Sequence, residues 1–420
     1  MLVEIEKLVY GGTGFARVDG KATFVRGGVP GDLLEVSVVS DKRTFAEAKI
    51  ERIVRPSPER TLPKCPVFGT CGACQWQHIN YAFQLSAKEQ VLRETLLRIG
   101  GFREVNIEPI VPSPYEYGYR QRVTLSAWLE DRRFKLGYHE EGTFSTVSIN
   151  GCPIASEEIN SEIKNLNEFF LRDEYDSLPF NRINIVSDGR RAYVTFSLIA
   201  NGLEGYVDSP PTKDPEPEEV WKRLGFEDDG EHVFQFESLG LRFKSVPSLF
   251  MQTNRRINER LVSTVLDWAA LKGHEEVLDL FCGIGNFSLN LAKSARTVLG
   301  VDISRAAVSL ARINSEANVI ENVRFVRSSV PFFLRKSLDQ RAKFDLIILD
   351  PPREGARDIL EDLLKLSPKR MIYVSCNPTT LARDVKILIE RDYELVKIRP
   401  FDMFPQTFHI ESIVLLSKFD

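Results

Sequence analysis

From residue 246 onward the chain moves between two hydrophobic rhythms. Short apolar runs of strand type (EVLDLF, TVLGVD, VRFV, FDLIILD, RMIYVSC) alternate with stretches spaced like amphipathic helices, at 254–270, 286–294, 304–318, 356–366 and 378–390. Strands and helices taking turns predict a parallel, doubly wound sheet. The last two runs, ELVKIR and HIESIVLL, have no helix between them and are expected to close the sheet as an antiparallel edge pair.

Upstream the pattern differs. Residues 1–54 show period-two stretches such as Leu34, Val36 and Val38, punctuated by Gly11-Gly12, Gly20 and Gly27-Gly28. About five strands at this spacing predict a small OB-like β-barrel. Residues 55–245 carry a cysteine-rich segment, a helix over Ala87–Ile99 ending at Gly100-Gly101, and strands near Arg122–Leu129, Ile183–Val186 and Ala192–Leu198. The expected organisation is a barrel (1–54), a central α+β domain (55–245) and an α/β domain (246–420). The proline-rich, acidic run Asp208–Glu219 reads as a solvated loop.

At 420 residues, with 43% hydrophobic and 27% charged positions, the chain is neither a disordered polymer nor a small disulfide scaffold. Its longest apolar runs, such as Ile413 to Leu416, are too short to cross a bilayer. The amino terminus lacks the features of a signal peptide. A cytoplasmic monomer with no membrane partner is the expectation. The net charge of -4 excludes a uniformly basic nucleic-acid coat but leaves local basic patches open.

Three of six cysteines form Cys65-x5-Cys71-x2-Cys74, and Cys152 follows far downstream. Cys65 and Cys152 each precede a proline. Four thiolates suit a 4Fe-4S cluster or zinc. The three-plus-one spacing leans toward iron–sulfur, with zinc and plain buried thiols as the alternatives.

In the α/β region, DLFCGIGNF joins a strand to a helix through a G-x-G turn that lets backbone approach a ligand. Asp302 ends the next strand and can accept from ribose hydroxyls. The turn is not G-x-G-x-x-G, so an adenosyl ligand such as S-adenosylmethionine is favoured over a dinucleotide. Asp350-Pro351-Pro352-Arg353 ends another strand; its Asp and Arg, where amino-methyltransferases often carry Asn and an aromatic, argue against exocyclic-amine chemistry. Cys376, in SCNP, lies at a strand end just before a helix, whose N-terminus should favour thiolate. Cys282, inside the glycine turn, reads as structural. Glu411 enters an apolar strand, where a carboxylate needs a role or a partner. Beside Cys376 it would be a general base, with His409 as the competitor.

Taken together, the cysteine set, Phe250-Met-Gln252-Thr-Asn254, DLFCGIGNF, DPPR, SCNP and His409-Ile-Glu411 resemble the RNA (uracil-5-)-methyltransferase family, over nearly the whole chain. They look like its iron–sulfur branch, which modifies 23S ribosomal RNA. The first 54 residues are similar to its RNA-binding TRAM domain. The resemblance implies a Rossmann-like S-adenosylmethionine-dependent methyltransferase domain, with a 4Fe-4S cluster on Cys65, Cys71, Cys74 and Cys152. It implies Cys376 as nucleophile on uracil carbon 6 and Glu411 as the base at carbon 5. Gln252, Phe281, Asn286, Asp302, Ser329 and Asp350 would line the methyl-donor site. Ser329 stands where an amide is expected.

By the same resemblance Phe250 stacks on the flipped base and Arg122 approaches it. Nearby aromatics and bases (Tyr115, Tyr117, Tyr119, Arg132, Arg133, Tyr138) suit single-stranded RNA, ribosomal first and transfer RNA second. The rivals are a cytosine-5 methyltransferase, which usually has Pro-Cys at the thiol, and a non-catalytic iron–sulfur RNA-binding protein.

Overall fold

The computed structural model describes residues 1–171, 178, 180–198 and 233–419, so the acidic run 208–219 lies outside the described residues. Three principal sheets account for most of the chain.

The carboxyl-terminal sheet has seven strands in the order Val323–Arg327, Thr297–Asp302, Glu276–Leu280, Leu346–Leu349, Arg370–Ser375, Glu411–Lys418 and Tyr393–Phe401. The first five are parallel. The last two pair antiparallel with each other, as the missing helix predicts. Glu411–Lys418 also runs antiparallel to Arg370–Ser375. In Leu346–Leu349 every side chain is fully buried, Leu346 and Ile348 on one face of the sheet, Ile347 and Leu349 on the other. A strand covered on both sides must be apolar throughout, and each such side chain contributes roughly 1.5–3 kcal/mol.

Helices Arg255–Ala269, Arg305–Ala317 and Pro378–Ile389 fall where the spacing predicts. Helix 286–294 is trimmed to Ser288–Ala292, because the glycine turn extends further. The helix expected at 356–366 starts as the 3-10 turn Arg357–Ile359 and continues as Leu360–Leu366. Val330–Asp339 is an additional helix, begun by Ser329 with Pro331 in its first turn. That pairing is a start signal the sequence does carry.

The amino-terminal sheet holds six strands between Leu2 and Arg55 around a core of Val3, Ile5, Val25, Leu34 and Val36. The central sheet has five, in the order Ala192–Leu198, Phe180–Ser187, Arg122–Glu130, Arg133–His139 and Thr146–Ser148. Helix Glu157–Phe170 covers it with Ile159, Ile163, Leu166 and Phe170. The helix expected at Ala87–Ile99 begins earlier: Asn80 caps Tyr81–Thr95, its side chain accepting from the Phe83 N–H at 2.9 Å. A π turn, Leu96–Gly100, ends it.

Candidate active site

The parallel strands end on one edge, and that edge gathers the candidate residues. Phe281 follows the first strand with φ of 66°, so the chain turns sharply there. The Asp302 carboxylate accepts from the Gly283 N–H at 2.9 Å and the Ser304 N–H at 2.8 Å, which fixes the glycine turn to the end of the second strand. A cleft with a cavity volume of about 80 Å³ opens beside it. Phe250, Gln252, Phe281, Asn286 and Asp350 all line it. Asp302 and Ser329 are not among its lining residues; Asp302 buttresses the turn and Ser329 starts a helix. Asn258, which the motifs did not single out, also lines the cleft and exchanges two side-chain hydrogen bonds of 3.0 Å with Asn286. Phe250 is 71% exposed, which excludes an ordinary core role. Arg122 donates to the Leu249 carbonyl, next to Phe250.

Antiparallel pairing delivers the last two residues. Ser375 lies opposite Ser412, so the end of one strand carries Cys376 and the start of its neighbour carries Glu411. The two are near enough for the Glu411 charge to act on the thiol. Burial pushes Cys376 up to about 11, with Glu411 and Asp350 adding to it and Arg353, in hydrogen-bonding contact, opposing. The expectation of a thiolate favoured by the helix terminus is therefore corrected: desolvation outweighs it. That terminus is also capped by Asn377, whose side-chain oxygen accepts from the Thr379 N–H at 3.0 Å.

Glu411 is fully buried and held well above the usual carboxylate range by burial and by Asp350. Burial raises Asp350 to about 7, helped by Asp279. Asp279, itself raised to about 7 by burial, takes a short hydrogen bond from Ser288. His409 is lowered to about 4 by burial and by Arg353, Lys88 and Arg120, so it is neutral at pH 7. Arg353 and Asp279 stand in the quoted motifs but were given no role there, and Tyr10 stands in none; all three are neighbours of these residues. Tyr10 comes from the amino-terminal sheet, packs edge-on against Phe408 at 5.4 Å, and feels the charges of Cys376, Arg353 and Glu411. Only the fold brings it there. Cys282 is buried, its sulfur 3.0 Å from where a Cβ on Gly300 would sit, in keeping with a structural role.

The aromatic and basic stretch divides. Tyr119 is buried with its hydroxyl donating to the Pro405 carbonyl at 3.0 Å, and Tyr138 is partly buried beside Cys152. Tyr119 is not free to stack on RNA, which corrects that expectation for it; Tyr115 is 57% exposed and remains available.

Cys65, Cys71, Cys74 and Cys152 line one small pocket. Burial raises Cys71 to about 11 and Cys74 to about 12, and each feels Cys152. The Cys152 N–H donates to Asn160 at 2.7 Å. Among the described residues no three His, Cys, Asp or Glu side chains, as they stand, form a group able to hold a metal ion. The donor chemistry, four thiols in one pocket with the buried Arg120 near them, still fits a sulfur-ligated group.

The strand order and the cleft at its carboxyl edge define an S-adenosylmethionine-dependent methyltransferase. Residues 222–419 match the tRNA (Uracil-5-)-methyltransferase family model and residues 1–50 the TRAM domain model. A 23S rRNA (uracil(1939)-C(5))-methyltransferase RlmD of Yersinia enterocolitica is 33% identical, covering 100% of this chain and 95% of that protein. The counterpart in Pectobacterium atrosepticum is also 33% identical, covering 96% and 90%. A solved structure, the tRNA (uracil-54, C5)-methyltransferase of Pyrococcus abyssi in complex with S-adenosyl-L-homocysteine, superimposes with a TM-score of 0.71 at 27% identity, covering 99% of this chain and 100% of that one. The chain belongs to the RNA (uracil-5-)-methyltransferase family. It is an enzyme, which sets aside the binding-only and cytosine-5 readings. No helix among the described residues is long and apolar enough to cross a membrane.

Proposed function

We propose that this enzyme methylates carbon 5 of a uridine in 23S ribosomal RNA, with Cys376 as nucleophile and Glu411 as base. The observation that carries the roles is the strand register that sets Ser375 opposite Ser412, beside the cleft. Uracil carbon 5 is a poor nucleophile. Cys376, deprotonated with help from Arg353, bonds to carbon 6, and the double-bond electrons move to the carbon 4 oxygen. Carbon 5 of that enolate then accepts a methyl group. S-adenosylmethionine, when bound, supplies that methyl and a positive sulfonium. Glu411 removes the carbon 5 proton, the double bond re-forms, and the thiolate leaves. Glu411 must be ionised for this step, and Arg353 is the nearby cation that opposes its burial. Gln252, Phe281, Asn286 and Asp350 hold the methyl donor, with Asp302 and Ser329 as outer members. Phe250 at the mouth stacks on the extruded base, and Arg122 orders the loop that carries it.

The ribosomal target rests on the activity named for relatives matched over 90% and 95% of their length. Transfer RNA is the second reading, favoured by the activity named for the Pyrococcus abyssi structure. Methyl transfer to protein-free 23S RNA against total transfer RNA separates the two. For the chemistry, RNA carrying 5-fluorouridine is the probe, because fluorine cannot leave as a proton. A methylated adduct on the peptide containing Cys376, formed only with the methyl donor, is expected. Bound RNA without adduct would overturn the mechanism.

The four-cysteine pocket is read as the seat of a 4Fe-4S cluster with a structural or RNA-positioning role, and residues 1–54 as an RNA-gripping unit. Anaerobically purified protein should carry roughly four iron and four acid-labile sulfides per chain. One zinc and no sulfide would overturn the cluster.

A further inference from the structure

The segment just before Glu411 is held in an unusual way. Residues 402–407 have no helix or strand of their own. Yet four successive carbonyls are each taken by a different part of the chain. Met403 accepts from the Asn254 side chain at 3.4 Å, and Phe404 from Lys88 Nζ at 3.1 Å. Pro405 accepts from the Tyr119 hydroxyl at 3.0 Å. Gln406 accepts from the N–H groups of Gln75 and Trp76 at 3.1 and 3.0 Å. Gln406 has φ of 69°, a left-handed conformation that a glutamine adopts only when its surroundings impose it.

Gln84 supplies that imposition. Its Oε1 accepts from the Gln406 N–H at 3.0 Å, and its Nε2 donates to Gln406 Oε1 at 3.0 Å. The same Nε2 reaches the carbonyls of Trp76 at 3.1 Å and Ile79 at 2.8 Å. Gln84 is fully buried and Gln406 nearly so. At the other end of the segment Lys88 Nζ pairs with Asp402 at 2.6 Å, both side chains fully buried. Gln84 and Lys88 lie on one helix, and Gln75 directly follows Cys74. Donors from outside the catalytic sheet thus fix the path of the chain that leads to His409 and Glu411.

We infer that Gln84, Gln406 and Tyr119 are positioning residues for the Glu411 carboxylate, through a strap anchored on the cysteine-bearing segment. The inference rests on the reading of Glu411 as the base at carbon 5. Proton removal comes after methyl transfer. A displaced Glu411 therefore slows release of the methylated RNA from Cys376 and leaves methyl transfer itself less affected.

The test compares the wild type with Glu411→Gln, Gln84→Leu, Gln84→Glu and Tyr119→Phe on unsubstituted target RNA. It measures the fraction of enzyme held as a denaturant-stable, methylated RNA adduct, together with kcat and the KM for S-adenosylmethionine. Gln84→Leu should lower kcat at least tenfold, leave that KM within about twofold, and raise the trapped fraction toward that of Glu411→Gln. Gln84→Glu keeps the acceptor for the Gln406 N–H and should recover part of the rate. Tyr119→Phe removes only the Pro405 donor and should show the same signature more weakly, so the idea stays testable if Gln84→Leu does not fold. If Glu411→Gln traps adduct while folded Gln84 and Tyr119 variants turn over without trapping, the strap inference is wrong. If Glu411→Gln itself traps nothing, the base assignment fails instead.

Discussion

At the scale of single residues, the site is governed by desolvation. Cys376→Ala should abolish methyl transfer while leaving S-adenosylhomocysteine binding intact, checked by calorimetry beside a tritium-release assay. Because burial raises the thiol to about 11, the free-enzyme rate at low substrate should climb with pH from neutrality toward that value rather than level off near 8. Asp279 yields a signed stability prediction. Its folded pKa is raised from 3.8 to about 7, so the unfolded chain gives up the proton first, and stability is lost as pH rises through that window. Asp279→Asn should therefore gain on the wild type by about 1 kcal/mol per pH unit across it, read from denaturant midpoints. Cys376 and Asp350 were legible as candidates because each stands at the end of an apolar strand: Cys376 after MIYVS, Asp350 after LIIL. Arg353 was visible as a motif letter but not as a partner of the thiol. Tyr10 and Asn258 were not legible, because what recruits them is contact across distant segments.

At the scale of elements, periodicity served best where burial is two-sided or cleanly striped, as in the parallel strands and helix Arg255–Ala269. It served poorly in the central sheet. There the alternation of Arg133–His139, with Phe134, Leu136 and Tyr138 between polar positions, is a strand signal that was passed over, and Thr146–Ser148 is too short to show a period. The helix Tyr81–Thr95 was located late because its first half carries Gln84 and Lys88 inward, polar side chains that look solvated in sequence. That choice has an energetic signature. Lys88→Met leaves Asp402 buried without its cation and should cost about 3–5 kcal/mol in unfolding free energy. Adding Asp402→Leu should restore much of it, and a double-mutant cycle by urea denaturation measures the coupling.

At the scale of the whole molecule, the amino-terminal unit shares a buried cluster with the segment around Trp76, and Phe408 packs against it. Leu8 and Val29 of the amino-terminal sheet pack with Trp76, Ile79 and Ala87. Removing residues 1–54 would uncover that cluster along with the neighbourhood of Phe408. The truncated protein should aggregate or lose thermal stability, measured by scanning calorimetry, rather than simply bind RNA more weakly. The sequence could announce a β segment and an α/β segment; it could not announce that they share a core, since no local pattern encodes which distant surface an apolar residue will meet.

Trp76 concentrates this sharing. Its indole donates to the Gly12 carbonyl at 3.0 Å and its peptide N–H to Gln406 at 3.0 Å, so the two ends of the chain meet around one fully buried side chain. Gly12 lies far ahead of Gln406 in sequence, so this seam cannot close until both segments have been made. Closure of loops this long is slow and comes late in folding. A chain made only as far as residue 405 would lack both that anchor and the proposed base, so the contact that ties the strap down and the carboxylate it leads to arrive together.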